Sequence, residues 1–461
     1  MKILNFRAVG IHGYVNQFVE FDPNLTFLTG INGTGKSSVI HSISALIGPS
    51  LETLASISFR EMVLTIEHEG VVRRVFANRD EDKIKISIDG AEQTLLYPAY
   101  EPDPDEPTYR AVEHAAEYYK SILAQNIANE VIVQLQKLPT PMFLDLNRRS
   151  LTYEPRASVT ISRRRSERNI FNPSLTPSLN VATELAALEW RATDAELRKI
   201  AFRYRRRLIV NLLSFSPNPF GGPIRKPEAA DLAKLKRLKK QMPFIPKILG
   251  ISEDDINANL KPFVDKMADW AAAIPSRKSI DEIFSGTSKE ANDPVLQAMV
   301  NWSSNVSQLE KIDKMIDIVE KHNSEAEDAS KQLNRYQDSV NNFFKDSNKR
   351  LKFSETGTPS FQLSAGGPLR PITVLSSGEA QIFVLLTHLY YDPAAKRANV
   401  YIIDEPELSL HVAWQEIFVD SIIEANPTAQ FILATHSPSI ILDRIDSCRD
   451  LGDSAQIDAG A

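Results

Sequence analysis

The sequence predicts an α/β fold, in which a mixed β-sheet and a flanking antiparallel sheet are split by a helical, partly coiled-coil insertion. Three observations lead to this prediction. A glycine-rich turn separates a strand from a helix at 30–37, strands and helices alternate at 400–434, and apolar residues recur at steps of three, four and seven from 295 to 344. Alternating strands and helices indicate a parallel sheet, and the longer period indicates packed helices. The predicted parts are a first lobe at 1–150, an insertion at 151–350 and a second lobe at 351–461.

The predicted elements of the first lobe are short strands interrupted by helices. Strands are expected at 2–8, 18–21, 25–29, 59–67, 71–77, 83–88 and 142–146, with helices at 36–47 and 109–137. The insertion is expected to hold helices at 182–213 and 227–240, and either one long packed helix or an antiparallel coiled-coil arm at 295–344, with 325–328 as a candidate bend. In the second lobe we expect strands at 360–364, 372–375, 400–403 and 430–434, with helices at 379–389 and 410–424.

Composition and cysteine content argue against a membrane protein or a disulfide-stabilised secreted domain. A hydrophobic content of 43% is ordinary for a globular protein, and no run approaches the ~20 apolar residues of a membrane span. Residues 1–6 lead directly into a strand, without the pattern of a signal peptide. The single cysteine, Cys448, excludes an internal disulfide and fits a reducing compartment. We therefore expect a cytoplasmic protein without a membrane partner.

The net charge of −6 conceals a strongly basic segment. Residues 148–242 contain 21 Lys and Arg against 8 Asp and Glu, a local charge of +13 that leaves −19 for the remainder. The densest patches are at 163–165, 205–207 and 236–240. Such a segment predicts a surface for nucleic acid or for an acidic partner. The alternative is a solvated helical face or a contact between subunits.

The glycine-rich turn at 30–37 fits the phosphate-loop pattern G-x-x-x-x-G-K-[ST]. A glycine loop between a strand and a helix exposes backbone N–H groups at the positive end of the helix, where they bind phosphate oxygens. Lys36 would supply a point charge to the β- and γ-phosphates, and the Ser37 hydroxyl suits Mg²⁺. The predicted nucleotide-binding residues of this loop are Asn32, Gly33, Thr34, Gly35, Lys36, Ser37 and Ser38.

Two carboxylates follow the predicted buried strand at 400–403. Asp404 and Glu405 stand at its C-terminal tip, where ligands collect in open α/β sheets. Asp404 would hold Mg²⁺, and Glu405 is placed to polarise an attacking water as the catalytic base. The alternative is a structural pair of acids that caps the next helix.

Two further motifs complete the set. Ser376, Ser377 and Gly378 open a predicted helix, where hydroxyl and backbone N–H groups form a second anion site that a monomer would leave without a phosphate. A simple helix N-cap is the alternative, and it is compatible with this role. His436 follows the predicted strand at 430–434 and is a candidate catalytic donor to a γ-phosphate, although a lone histidine is usually structural.

These motifs, in this order, resemble those of the RecF, Rad50, SMC and OLD branch of ABC-type ATPases. The matching segments are 5–7, 30–38, 375–379, 404–411 and 435–438. The resemblance implies an ABC ATPase head that uses ATP and Mg²⁺ and dimerises head-to-tail. Each nucleotide would lie between the loop and acidic residues of one head and Ser377 and Gly378 of the other. Arg7 matches a family residue that lies near the nucleotide.

The same resemblance also implies a partner protein. OLD nucleases carry a Toprim nuclease domain after the histidine motif, whereas no acidic metal cluster follows His436 here. The chain therefore resembles the stand-alone ATPase of two-gene anti-phage defence systems, of the Septu type first and the PARIS type next. This implies a homo-oligomer, a dimer or a multiple of dimers, that regulates a separate nuclease of the HNH or Toprim type. The alternative is a RecF- or SMC-like DNA-maintenance ATPase.

Overall fold

The structure is a computed structural model that describes residues 1–31, 33–48, 50–80, 83–101, 108–145, 177–213, 224–244, 246, 252–275, 294–363 and 366–452. Its strands are β1 (Lys2–Ile11), β2 (Val15–Glu20), β3 (Leu25–Thr29), β4 (Glu61–His68), β5 (Val71–Asp80), β6 (Lys83–Ile88), β7 (Leu95–Pro98), β8 (Met142–Asp145), β9 (Arg350–Phe353), β10 (Pro359–Gln362), β11 (Leu369–Arg370), β12 (Val400–Asp404), β13 (Gln430–Ala434) and β14 (Cys448–Asp450).

The helices of the described residues begin with α1, which directly follows the glycine-rich loop. They are α1 (Lys36–Ile47), α2 (Leu51–Ser56), α3 (Thr108–Gln125), α4 (Glu130–Lys137), α5 (Pro177–Leu213), α6 (Ala229–Gln241), α7 (Glu253–Ala273), α8 (Pro294–Phe343), α9 (Ser377–Tyr391), α10 (Pro393–Ala398), α11 (Val412–Ala425) and α12 (Pro438–Ile441).

A five-stranded parallel sheet forms the centre of the fold, in the order β14-β3-β13-β12-β8. Every residue of β12 and β13 is buried, as expected for a parallel sheet that is covered on both faces. Because all five strands run the same way, their carboxyl ends meet at one edge. Asp404 pairs there with Ala434, and Asp450 pairs with Thr29. The segments that follow these strands are therefore brought close together.

A six-stranded antiparallel sheet, in the order β2-β1-β4-β5-β6-β7, is built entirely from residues 2–98. Alternate residues of β4, Met62, Leu64 and Ile66, are buried, and they share a core with Ile40 and Ile43 of α1. The buried Gln430 connects the two sheets. Its amide accepts a hydrogen bond from the Ile3 N–H at 2.8 Å and donates to the Ile3 carbonyl at 2.8 Å.

The predicted α/β fold is confirmed, with differences in detail. In the part of the chain that the structure describes, parallel and antiparallel strands lie in separate sheets and do not share one mixed sheet. The expected strand at 372–375 is a 3₁₀ turn, Ile372–Val374, because Pro371 lacks the N–H that would extend the ladder of β11. The expected helix at 109–137 is two helices, and the Asn129 side chain accepts from the Val131 N–H to start the second.

The chain divides into two compact units, of which one comprises Met1–Trp190 with Asn334–Ala461 and the other Arg191–Leu333. In the second unit, α6, α7 and α8 share a core that includes Leu238, Met267 and Trp302. Helix α8 is unbroken over 50 residues and runs through 325–328, so the long helix predicted there is present, and the bend at 325–328 stays a prediction. The unit boundaries fall inside α5 and α8, and the division at 150 and 350 stays a prediction.

Candidate nucleotide-binding site

The loop between β3 and α1 has a backbone that requires glycine. Gly30, Gly33 and Gly35 have φ values of +136°, +92° and +92°, in a region that side chains disfavour. A Cβ at Gly30 would lie 2.8 Å from the Thr34 Oγ1. That hydroxyl donates to the Ile31 carbonyl at 3.0 Å and closes the loop on itself.

The Lys36 side chain lies along this loop. Only 5% of the residue is exposed, and its Nζ donates to the carbonyl oxygens of Gly30 at 3.0 Å and Ile31 at 3.4 Å. Helix α1 has no acidic residue in its first turn, so no side chain there competes with an anion for the N-terminal N–H groups. The loop therefore offers a phosphate two favourable groups, the Lys36 ammonium, which the loop carbonyls fix in place, and the N-terminus of α1.

Carboxylates from the far end of the sequence act on Lys36. Burial lowers the pKa of the Lys36 ammonium, while the negative charges of Glu405 and Asp404, followed by those of Glu407 and Asp450, act in the opposite direction. All four lie at the carboxyl edge of the parallel sheet or just beyond it. The fold thus brings the glycine loop and the acidic pair together across more than three hundred residues of sequence.

The acidic pair leaves β12 through a strained turn. Asp404 ends the strand and is 3% exposed, and the Glu405 N–H donates to the Ala434 carbonyl at 2.9 Å. Glu405 has a φ of +45°, a conformation that costs a non-glycine residue about 1–3 kcal/mol. Such strain is common at functional sites and here turns the chain from the strand into the 3₁₀ turn Pro406–Ser409.

A third carboxylate, Glu407, holds the histidine segment in place. Its Oε1 accepts from the His436 N–H at 2.6 Å, and its Oε2 accepts from the Thr435 Oγ1 at 2.8 Å. The Ser437 hydroxyl donates to the Gln415 Oε1 at 2.6 Å, so the turn is fixed from a second side. The His436 side chain itself is exposed. Sequence reasoning placed Glu407 in a motif but assigned it no role.

The hairpin of β1 and β2 supplies two more contacts that sequence reasoning missed. The buried Gln17 donates from its Nε2 to the Thr34 carbonyl and to the Leu451 carbonyl, each at 3.1 Å. His12 Nε2 lies 2.9 Å from the Ser38 Oγ. These contacts join the N-terminal hairpin, the glycine loop and the segment after β14. No local pattern signals them, because they depend on the strand order.

The predicted second anion site forms a complete helix cap. Ser376 Oγ accepts from the Glu379 N–H at 3.4 Å, and Glu379 Oε2 accepts from the Ser376 N–H at 2.7 Å and from the Lys349 Nζ at 2.7 Å. Gly378 is buried in the first turn of α9, whereas Ser377 is exposed. Ser376 therefore acts as a helix N-cap, as the alternative interpretation predicted. Because the Ser377 hydroxyl is exposed, this cap is compatible with binding an anion as well.

Two of the remaining predicted site residues, Ser37 and Arg7, lie in described elements, and Asn32 does not. Ser37 is the second residue of α1, next to Lys36. Arg7 lies in the middle of β1, opposite Phe18 and Val63, and its side chain is exposed. Asn32 and the basic patch at 163–165 lie outside the described residues.

The described part of the chain has neither a cluster of metal-ligating side chains nor a helix that could span a membrane. No group of three or more His, Cys, Asp or Glu is arranged there to hold a metal. Mg²⁺ commonly uses only one or two protein ligands besides phosphate and water, so the pair Ser37 and Asp404 fits its chemistry. No helix in the described ranges is long and apolar enough to cross a bilayer.

The chain is similar to known proteins in sequence and in structure. The probable ATPase of retron Vc95 from Vibrio cholerae serotype O1 biovar El Tor is 27% identical over 203 residues, which is 41% of this chain but only 39% of that protein. Two solved structures are similar over most of their length. They are an SMC head domain from Thermotoga maritima (TM-score 0.37, 9% identity, 98% of this chain and 94% of that one) and one from Pyrococcus furiosus with an extended coiled coil, bound to the C-terminal domain of ScpA (0.35, 13%, 95% and 91%).

The family model described as AAA ATPase domain (AAA_15) matches residues 1–441 of the 461. The chain therefore belongs to the AAA ATPase domain family.

Proposed function

We propose that this chain is an Mg²⁺-dependent ATPase that works as a head-to-tail dimer and regulates a separate nuclease in anti-phage defence. The observation that carries the ATPase part is the position of Lys36. Its ammonium is buried along a glycine loop and faces the charges of Glu405 and Asp404 from the opposite end of the sequence. A solely structural lysine would have no need of a loop whose three glycines have positive φ.

Each residue would have a distinct role in hydrolysis. The loop N–H groups and Lys36 would bind the β- and γ-phosphates, and Ser37 with Asp404 would hold Mg²⁺, which neutralises phosphate charge when bound. Glu405 would orient and polarise the attacking water. His436 would contact the γ-phosphate from the turn that Glu407 holds.

The partner part of the proposal has a different basis. The family match and the similarity to a retron's probable ATPase support ATP hydrolysis. Control of a nuclease rests on the motif resemblance to two-gene defence systems. If this part is right, the purified chain with Mg²⁺ leaves plasmid DNA and tRNA intact, and cutting needs an added HNH or Toprim nuclease. Cutting by the chain alone that persists in Lys36→Ala would contradict it.

The test of the ATPase part compares two variants with matched controls. Lys36→Ala should lose ATP binding, because it removes the ammonium that the loop holds for the phosphates. Glu405→Gln should keep ATP bound but lower single-turnover hydrolysis by about 10²-fold or more, the usual contribution of a general base. Lys85→Ala and Glu416→Gln, which change exposed residues of β6 and α11, should behave like wild type. Wild-type turnover in Glu405→Gln would show that another residue is the base.

A further inference from the structure

The C-terminal turns of α5 carry a groove in the unit of residues 191–333. It has a volume of about 650 Å³ and is lined mainly by Phe202, Arg203, Arg206, Arg207 and Val210, with Ile318 of α8. Residues three and four apart share a face of a helix, so these α5 side chains form two adjacent rows. The opposite face of α5 is already used for packing, because Tyr204 and Leu208 are buried.

Some cations of the predicted basic segment form ion pairs within the unit of residues 191–333. Arg237 forms ion pairs with Asp313 and Asp317 of α8, and Lys239 pairs with Asp265 of α7. The patch at 236–240 is thus partly a structural contact within the unit. Of the basic patches that the structure describes, the one at 205–207 contributes two arginines to the groove on α5.

The three arginines of the groove differ in how they are held. Arg203 pairs with Glu325 at 2.6 Å, and the Arg207 guanidinium lies 5.1 Å from the centre of the Tyr204 ring. Arg206 makes no ion pair with any residue that the structure describes. It therefore offers a charge and hydrogen-bond donors to a ligand, while its neighbours are ordered by contacts within the protein.

Exposed apolar groups stand in the same two rows as the arginines. Phe202 is 71% exposed and Val210 is 62% exposed, one helical turn before and after Arg206. An exposed aromatic ring beside cations is the combination that binds unpaired bases, in which the ring stacks on a base and arginines contact the phosphates. A duplex hides its base faces, and the carboxylates of an acidic peptide would pair with the arginines but would offer no stacking surface to the Phe202 ring.

We propose that this groove binds single-stranded nucleic acid, with a base stacked on Phe202 and the adjoining phosphates on Arg206 and Arg207. The inference does not depend on the proposed ATPase activity. It requires only the groove, which lies wholly within the described residues of one unit.

The test measures binding of the full chain to a fluorescein-labelled oligo(dT) by anisotropy over a range of salt concentrations. Phe202→Ala should weaken binding about tenfold, whereas Phe202→Trp should not, because tryptophan keeps a stacking surface. Arg206→Gln should weaken binding and reduce the log–log salt slope by about 0.7, the value for one phosphate contact on a single strand. Controls are Ile209→Ala and Arg198→Gln, which change exposed residues of the same helix that do not line the groove.

Three results would overturn the proposal. They are no binding of the wild-type chain to the probe, equal competition by duplex DNA or by poly-glutamate, and equal losses in the groove and control variants. ATP hydrolysis without the probe should be unchanged in every variant, so a fault in folding or in the nucleotide site is detected separately.

Discussion

At the scale of single residues, the candidate site depends on carboxylates that have different tasks. Asp404 and Glu405 were predicted from their place after an apolar strand, and the structure puts both near the charge of Lys36. Glu407 would act indirectly, through the residues that it positions. It contacts the backbone of His436 and the hydroxyl of Thr435, and it therefore positions the segment that would sense the γ-phosphate.

We expect Glu407→Gln to lower kcat about tenfold while the KM for ATP changes little. The substitution puts an amide NH₂ against one of two donors, the His436 N–H or the Thr435 hydroxyl, and leaves that donor unsatisfied at a cost of about 1–3 kcal/mol. Steady-state kinetics measure the split between kcat and KM. Glu424→Gln, at an exposed position of α11, is the control. A variant that loses ATP affinity and turnover equally would show a structural role only.

Single residues also differ in whether their contacts could be predicted from the sequence. A motif such as the glycine loop has its chemistry in consecutive residues, so spacing alone predicted Lys36 and Ser37. Gln17 has its two partners at Thr34 and Leu451, which are adjacent only because β3 and β14 pair. No periodicity or local composition could predict such a contact.

At the scale of elements, helix α9 begins with a charged cap. Burial alone would raise the pKa of Glu379, but the hydrogen bond from Lys349 and that from the Ser376 N–H outweigh it and lower the pKa below its ordinary value of 4.5. A carboxylate whose folded pKa is depressed stabilises the fold above its unfolded pKa. This contribution is lost as the pH falls through the folded value.

We therefore expect acidification below about pH 4.5 to lower the melting temperature of the wild type more steeply than that of Glu379→Gln. The reason is that the variant has no carboxylate to protonate at this helix start. Thermal unfolding followed by circular dichroism from pH 7 to pH 3 measures the difference. Glu355→Gln, at an exposed turn after β9, is the control. Parallel curves for Glu379→Gln and wild type would contradict the assignment of the cap.

The ends of helices and strands were predictable where the local sequence itself marks them. Helix α1 and strands β3, β6 and β13 have the expected ends, because each is bounded by glycine, by a turn or by polar residues. Strands β7, β9 and β14 were not predicted. They are three or four residues long, and hydrogen bonding to a partner strand defines them, because β7 pairs with β6, β9 with β10 and β14 with β3.

At the scale of the whole molecule, we expect a head-to-tail dimer in which the glycine loop of one chain meets the cap of α9 of a second chain. The Ser377 hydroxyl is exposed at the start of α9, and the recorded contacts of this cap are with Lys349 and Glu379. A second copy would bring a phosphate to that surface. The arrangement predicts that two inactive chains can complement each other.

We expect Lys36→Ala and Ser377→Arg each to abolish turnover alone, and a one-to-one mixture to recover about a quarter of the wild-type rate. Half of the dimers in such a mixture contain one chain of each variant, and in each of these one of the two sites combines an intact loop with an intact cap. A mixture of Lys36→Ala with Glu405→Gln is the control, since both changes affect the same half-site and no intact site can form. If the first mixture stays inactive after subunit exchange, the sites do not form head-to-tail.

The position of β3 between β13 and β14 has a consequence for how the protein is made on the ribosome. The antiparallel sheet uses residues 2–98 only and can assemble soon after they emerge. Strand β3 must wait for neighbours at 430–434 and 448–450, a delay of about 20–80 s at ~5–20 residues per second. A nascent chain thus carries an unpaired apolar strand and an unfinished glycine loop until residue 450 has been synthesised. It gains the capacity to bind nucleotide only after that point.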